Sequence, residues 1–578
     1  VTWAGGPQRS ESEAVSSKLF RCACMRRWIP LAYREELYQV LRLSGPLLLA
    51  RILNFLLPFV CTIFCGHIGN AVLAGYALAT ATINVTTGAT GYGLVIACDT
   101  LISQTYGSKN LKRIGVILQR SSLILLLFCL PCWALLINSE NLLLLLHQEE
   151  AVASLILKLT FSLLLQAMFL HQLQVAYLQN QGIILPQMYT AAVANIINLG
   201  VNYVLIYTLH LGVTGSAIAS SLSQITICLL LFLYIRWKKL HQLTWGGWST
   251  DCLQEWGSYM HLAVPGAFMT CFEWWIWEIG SFLAGILGET DLAAWHIIME
   301  IGTIIYMFPL GIHAAACVRV GNALGAGNTS RALLTCKVAL VLAGALAVLQ
   351  GVVVTGCKSF IVNFIFDGLF LLLSCVCSGI LIGSGMQKIA AFASLISYYG
   401  IGLPVGIALM FFAHLRILGF WLGLLVCVAL QMGFFLVIII KLNWTKVTQK
   451  AQQRAGRTVV MVLPKRPIIP KTVGYSAVHT DDQELKANHE KDGNKSAAGG
   501  ADESKNTKPQ MLLSVSQLIL RRGFILIVLV LILIIGVVFH IVFPAPEPSV
   551  QSRANFTLNW ANDSTATPLT PMDLNKSL

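Results

Sequence analysis

The sequence predicts an all-α membrane protein: two six-helix lobes in parallel repeat, followed by a thirteenth transmembrane helix near the C-terminus. Three observations predict it. The 578 residues are 56% hydrophobic and only 11% charged, with a mean hydropathy of +0.72, whereas a soluble chain carries about 25% charged residues. Apolar runs recur along most of the chain, each long enough to cross about 30 Å of hydrocarbon at about 1.5 Å per helical residue. Similar turns also recur in the two halves. SQTYGSKNLKRIG (Ser103–Gly115) follows the second run and VGNALGAGNTSRAL (Val320–Leu333) the eighth, each with Gly and Asn three apart before a basic turn. Such a repeat about an axis along the membrane normal puts the substrate site in or between the lobes, near the midplane.

Residues 1–43 contain no apolar core of a signal peptide, and Lys18, Arg21, Arg26, Arg27 and Arg34 make them a cytoplasmic tail. The first lobe, 44–235, has spans at 44–68, 71–104, 114–137, 151–179, 184–208 and 211–235. A basic, Trp-rich loop, 236–258, separates it from the second lobe, 259–442, whose spans are 259–287, 290–317, 332–356, 359–385, 387–413 and 417–440. The polar stretch 443–522 reads as a disordered cytoplasmic linker. The aliphatic run 523–543 is the thirteenth helix, and 544–578 an extracellular tail with glycosylation acceptors at Asn555 and Asn562. Basic residues follow the second, sixth, eighth and tenth spans, which puts the even loops, and with them the N-terminus, in the cytoplasm.

The net charge of +13 belongs to that positive-inside pattern, because Lys and Arg sit in loops between apolar runs. It therefore points to membrane lipid and to no nucleic acid. The sixteen Cys are scattered, mostly in apolar segments, without the His/Cys spacing of a metal site. No GxxxxGK[ST] loop is present. No cofactor or metal is implied.

The chemistry concentrates in the second lobe. Leu262–Gly288 is an apolar span that carries Glu273 near its middle and Glu278 five residues on, among Trp274, Trp275 and Trp277; the next span carries Glu300. A charge at that depth costs about 2.5–3.5 kcal/mol on insertion scales, so these glutamates mark a wet, functional cavity. Glu278 lies about 140° round the helix from Glu273 and does not fully share its face. Trp274 and Trp275 offer cation–π faces of about 0.5–2 kcal/mol or face lipid and core. Tyr306, six residues after Glu300, packs or lines the cavity. Asp99, placed near a helix end, reads as a cap or loop anchor. Asn84, Asn195, Asn198 and Asn202 bridge helices at about 0.6 kcal/mol per bond, or line the cavity. A carboxylate shielded from water is easier to protonate, so one such group can exchange a proton for a cation. No nucleophile–His pair accompanies the carboxylates, which makes an intramembrane enzyme the least favoured of the function classes.

Over roughly residues 35–450, and on into the thirteenth helix, the chain resembles the multidrug and toxin extrusion (MATE) transporters in their vertebrate form. The resemblance is carried by FCGHIG (Phe64–Gly69), INVTTGATGYGL (Ile83–Leu94), ACDTLISQTYGS (Ala97–Ser108), YLQNQGIILPQ (Tyr177–Gln187), EWW (Glu273–Trp275), GSFLAGILG (Gly280–Gly288), VRVGNALGAG (Val318–Gly327) and GLPVGIALMF (Gly402–Phe411). It implies export of organic cations in exchange for protons by alternating access, at the plasma membrane and apically in epithelia. It also implies that Glu273, Glu278 and Glu300 bind cation and proton.

One departure from the family pattern stands out. The family has a glutamate in its tenth helix; here the matching text is GLFLLLSCVCSGILIGSG, and Leu371 occupies the acidic position. Trp277, where relatives often have tyrosine, is a milder change. The repeat is also uneven, 75 residues from Gly107 to Gly182 against 60 from Gly325 to Gly385, which implies a shortened tenth helix. Three readings stay open: a transport-impaired variant, a passive organic-cation facilitator, or an antiporter in which Asp367 substitutes as the acid. Asp367 lies four residues before Leu371, on the same face of a continuous helix, or else caps that helix at the outer surface.

Overall fold

A computed structural model of the chain describes residues 30–68, 80–81, 83–138, 155–209, 211–355, 362–456 and 514–543. The expected sites at Asn555 and Asn562, most of the N-terminal tail and the stretch 457–513 lie outside these residues. Six helices build the first lobe: α1 (Leu31–Ile68), α2 (Asn84–Gly107), α3 (Leu111–Ile137), α4 (Leu155–Gln179), α5 (Leu185–Thr208) and α6 (Gly212–Trp237). Six more build the second: α7 (Trp256–Leu287), α8 (Glu289–Gly325), α9 (Thr329–Thr355), α10 (Val362–Ser384), α11 (Gln387–Phe412) and α12 (Arg416–Lys441). Among the described residues ten helices are long and apolar enough to cross a membrane.

Several elements run past their expected bounds. Helix α1 starts at Leu31 rather than 44, because YREELYQVLRL continues the helical pattern with Val40 and Leu47 turned inward. Helix α8 runs two turns beyond 317, to Gly325. The stretch expected to be linker from 443 is helical over Trp444–Arg454 (α13), where Trp444, Val447, Thr448 and Ala451 form one buried face. The last helix, α14, spans Val515–Val542 and lies along α3: a Cβ on Gly536 would meet Ala134, and Asn138 donates to the Gly536 carbonyl at 2.8 Å.

Helix α9 has the same 27 residues as its counterpart α3, and α10 has 23 against 25 in α4. At about 1.5 Å per residue, the 23 residues of α10 make a helix about 35 Å long.

The lobes meet at the end that carries the basic turns, and the repeat is visible in the contacts themselves. A Cβ on Gly107 would run into the backbone of Asn322, and one on Gly325 into the backbone of Gln104. Each glycine thus faces the residue three before its counterpart, as a two-fold axis between α2 and α8 requires. Ion pairs follow the same symmetry. Arg113 and Arg331 both lie six residues after these glycines. Arg113 reaches Glu255 of the opposite lobe at 2.8 Å, and Arg331 reaches Glu36 of the opposite lobe at 3.6 Å. Glu36 also receives both ends of the Arg319 fork at 2.6 Å and the Thr335 hydroxyl at 2.7 Å. Thr100 donates to the Ile382 carbonyl at 2.7 Å and Gln104 to that of Gly383 at 3.0 Å, which completes the seam.

The two clamps differ in burial: the side chain of Glu36 is 4% exposed and that of Glu255 26%. Removing one partner of a buried pair costs about 3 kcal/mol, and a surface pair is worth about 1 kcal/mol or less. Glu36→Gln is therefore expected to lower the thermal unfolding midpoint in detergent well below that of Glu255→Gln; equal midpoints would refute this assignment of the seam.

Candidate functional site

Beyond the seam the lobes enclose a cavity of about 770 Å³, lined from both sides. That volume falls in the range of about 300–1,000 Å³ typical of small-molecule sites. The first lobe contributes Arg51, Asn54 and Phe55 from α1, Asn84, Tyr92 and Asp99 from α2, Gln172 from α4 and Gln224 from α6. The second contributes Glu273, Trp274, Trp277 and Glu278 from α7, Tyr306 and His313 from α8, Leu371 and Cys375 from α10, and Trp421 from α12.

At the centre, the Tyr306 hydroxyl donates to Glu273 Oε1 at 3.0 Å, tying α8 to α7. The Trp274 ring lies 5.2 Å from that of Tyr92, so an aromatic pair from opposite lobes borders this carboxylate. Glu278 is flanked by Trp277, whose ring lies tilted 5.8 Å from that of Trp421, itself 5.2 Å from Trp295. The first turn of α2, Asn84–Gly88, is a π-turn, a form common at functional sites. It places Asn84 on the cavity and turns the Val85 carbonyl to the Trp275 indole N–H at 2.9 Å.

A cavity between two pseudo-symmetric lobes can be set beside proteins of known kind. The MatE family profile matches residues 46–204 and 265–367, one stretch in each lobe. Multidrug and toxin extrusion protein 1 of Homo sapiens is 44% identical over 577 residues, covering 92% of this chain and 96% of that protein. The chain belongs to the multidrug and toxin extrusion family. It is therefore a multi-pass membrane transporter and not an enzyme. The Danio rerio protein 1 is 45% identical over 544 residues, covering 89% of this chain and 92% of its own length. The crystal structure of the eukaryotic MATE transporter AtDTX14 superposes with a TM-score of 0.68 at 27% identity, covering 73% of this chain and all of that one (100%). The bent form of the Vibrio cholerae MATE transporter VcmN shares the fold, with a TM-score of 0.61 at 16% identity, covering 74% of this chain and 100% of its own.

Within this MATE fold, Glu273, Glu278, Trp274, Asn84 and Tyr306 come together around one cavity. Glu278 joins Glu273 although the two are about 140° apart on α7, because the cavity wraps round that helix from α8 to α12. Trp275 does not join them: its indole is spent on Val85 and it does not line the cavity. Glu300 lies in α8 and Asp367 in α10, but their side chains fall outside the described residues. Asp367 is the sixth residue of its helix and so is no cap.

Asp99 also departs from expectation. It sits eight residues inside the end of α2, faces the cavity and accepts from Asn180 Nδ2 at 2.7 Å, so it is neither cap nor loop anchor. The asparagines of α5 do bridge helices: Asn195 donates to the Leu53 carbonyl at 2.7 Å and Asn198 to that of Leu57 at 3.0 Å, both on α1. Sequence reasoning missed Arg51 and His313. The signal for Arg51 was available, a cation inside the first apolar span rather than in a loop.

The two neighbouring tryptophans can be told apart by experiment. Trp274→Ala is expected to raise the KM for an organic cation about 3- to 30-fold, the equivalent of a cation–π contact of about 0.5–2 kcal/mol. Trp275→Phe is expected to leave KM unchanged while lowering thermal stability. A Trp275→Phe protein with the larger KM change would reverse the assignment.

Proposed function

We propose that this transporter exports organic cations and cationic drugs across the plasma membrane in exchange for protons, by alternating access of its two lobes. The observation that carries the reading is Glu273, held by Tyr306 inside a cavity that tryptophans border and the seam closes at the basic end. One carboxylate open to a single side of the membrane takes either a proton or a cation. Cation and proton therefore displace each other, and the reorienting lobes carry one at a time. Glu278 adds negative charge to the same path, Glu300 is the further acid that the family resemblance implies, and Trp274 and Trp277 offer π-faces to the cation. The basic end faces the cytoplasm by the positive-inside rule, with the N-terminus inside and the C-terminus outside. The seam seals that end, so the arrangement is an outward-facing one. The vertebrate resemblance supports an apical membrane in epithelia.

Glu273→Gln keeps the shape of the side chain and cannot titrate. Proteoliposomes holding this variant are expected to lose uphill uptake of a cationic dye driven by a preset proton gradient, with insertion intact. Full gradient-driven uptake in the variant would remove Glu273 from the mechanism. Uptake in the unaltered protein that only equilibrates, whatever the gradient, would instead favour the facilitator.

A second reading, weak coupling or none, is favoured by Leu371. It lines the cavity where the family pattern has a glutamate, and packs beside Trp277 and Trp421. Leu371→Glu is expected to raise gradient-driven exchange severalfold if the lost acid limits coupling. Asp367→Asn, one turn away on α10, is expected to abolish any residual coupling that Asp367 supplies. Surface expression of both is checked by biotinylation, and an unaltered pH dependence in Asp367→Asn would exclude its role.

A further inference from the structure

A second concentration of charge lies outside the cavity, where α14 meets α3 and the inter-lobe loop at the basic end. Arg521 and Arg522 directly precede the aliphatic run that begins at Gly523. Helix α14 runs parallel to α3: Ile525 packs on the cluster that holds Ile117, Ile124 and Trp256, and Gly536 lies against Ala134. Arg522 donates from Nε to the Leu253 carbonyl at 3.2 Å, and its guanidinium lies 4.2 Å from the centre of the Trp256 ring. Neither Arg521 nor Arg522 has an ion pair among the described residues. The terminal amino groups of Arg522 are left open, and Arg521 is exposed.

The surroundings are already cationic. Arg120 is buried, donates to the Asp251 carbonyl at 3.2 Å and leaves its Nε without a partner. Arg522 stands within electrostatic reach of both Arg120 and Arg521. Two carboxylates are close by. Glu255 is shared by Arg113 at 2.8 Å and Arg120 at 3.5 Å, and Asp251 is exposed and pairs with none of these arginines. Four guanidiniums therefore stand against two carboxylates, and positive charge is left over at one spot. Like charges held together repel, and an anion between them offsets that cost. Beneath the charges the helix is apolar. Phe524, Val528 and Leu531 follow Arg521 on its own face of α14, and all three are exposed. A cationic head above an apolar stripe matches the form of a phospholipid, with the phosphate at the surface and an acyl chain along the helix.

We propose that Arg521 and Arg522, backed by Arg120, form a site for an anionic phospholipid of the cytoplasmic leaflet, whose headgroup fastens α14 to α3 and the inter-lobe loop. A guanidinium gives a phosphate two parallel N–H···O bonds, and Trp256 and Leu253 hold that of Arg522 in place. Basic clusters just inside a membrane helix are drawn to the anionic lipids of that leaflet. The choice of leaflet rests on the orientation given in the preceding section. The site itself involves neither Glu273 nor proton exchange, so either can fail without the other.

The test measures lipid retained by the full chain, by native mass spectrometry from detergent micelles that hold phosphatidylserine and phosphatidylcholine in equal amounts. The unaltered protein is expected to retain phosphatidylserine in preference. Arg521→Gln with Arg522→Gln is expected to weaken that retention at least about tenfold, and Arg521→Lys with Arg522→Lys to keep most of it. Lys238→Gln with Lys239→Gln removes the same charge from the inter-lobe loop elsewhere and is expected to change little. Because Arg521 is exposed and unpaired, Arg521→Gln alone serves if the double variant does not fold, with an expected loss of about fivefold. Unchanged retention in the glutamine variants overturns the site, as does an equal loss in the Lys238 and Lys239 variant or equal retention of the two lipids. Inorganic phosphate, added at an ionic strength matched with chloride, is expected to leave the lipid bound. Displacement by phosphate alone would make this a site for a soluble anion and overturn the lipid assignment.

Discussion

The rest of the structure depends on how closely the two lobes approach at the basic end. Gly107 and Gly325 are each pressed against opposing backbone, at Asn322 and Gln104, where no Cβ fits. Close approach of this kind lets α2 and α8 hydrogen-bond and pack along a short seam, and it brings the arginine of each lobe within reach of the other lobe's glutamate. The seam combines ion pairs and carbonyl acceptors with apolar packing between the lobes, Leu94, Ala97 and Leu101 of α2 lying in one cluster with Tyr259, Leu262 and Ala263 of α7.

Closing one end is also what makes the cavity a site. Glu273 lies in a space lined by both lobes, beyond the seam at the basic end. The aromatic pair Tyr92 and Trp274 joins the lobes at the level of this carboxylate. A cation in the proposed site would touch both lobes at once, so its presence or absence would bear on the balance between their arrangements.

Much of this was legible in the sequence because the membrane penalises exceptions. Glutamates inside apolar spans can be found by eye, and Glu273 and Glu278 do face the cavity. The spacing of Gly and Asn in the two halves gave the lobe repeat, and the structure turns those letters into a contact. Other features depend on direction rather than composition. Trp274 and Trp275 are neighbours in sequence, yet only the first lines the cavity, because successive helical residues point about 100° apart. Asp99 looked like a helix end only because the length of α2 past Gln104 was not known. Helix α13 was hidden in a polar composition, since its buried face consists of Trp444, Val447, Thr448 and Ala451 spread among Lys and Gln. Arg51 was passed over because basic residues were assigned to loops as a class.

Leu371 and Arg51 act on the same quantity, the net charge of the cavity. Each intramembrane carboxylate costs about 2.5–3.5 kcal/mol to insert, so leucine at position 371 relieves the fold of one such cost and adds apolar contact to the cluster of Ile276, Trp295 and Trp421. Compared with a carboxylate at the same place, a leucine makes the second lobe easier to build and supplies no titratable group. Arg51 adds a permanent positive charge to the same cavity, in which Glu273 has its tyrosine partner and its aromatic border. A leucine at position 273 would insert at lower cost, so a carboxylate held there by Tyr306 is a physical argument that the cavity works on charge.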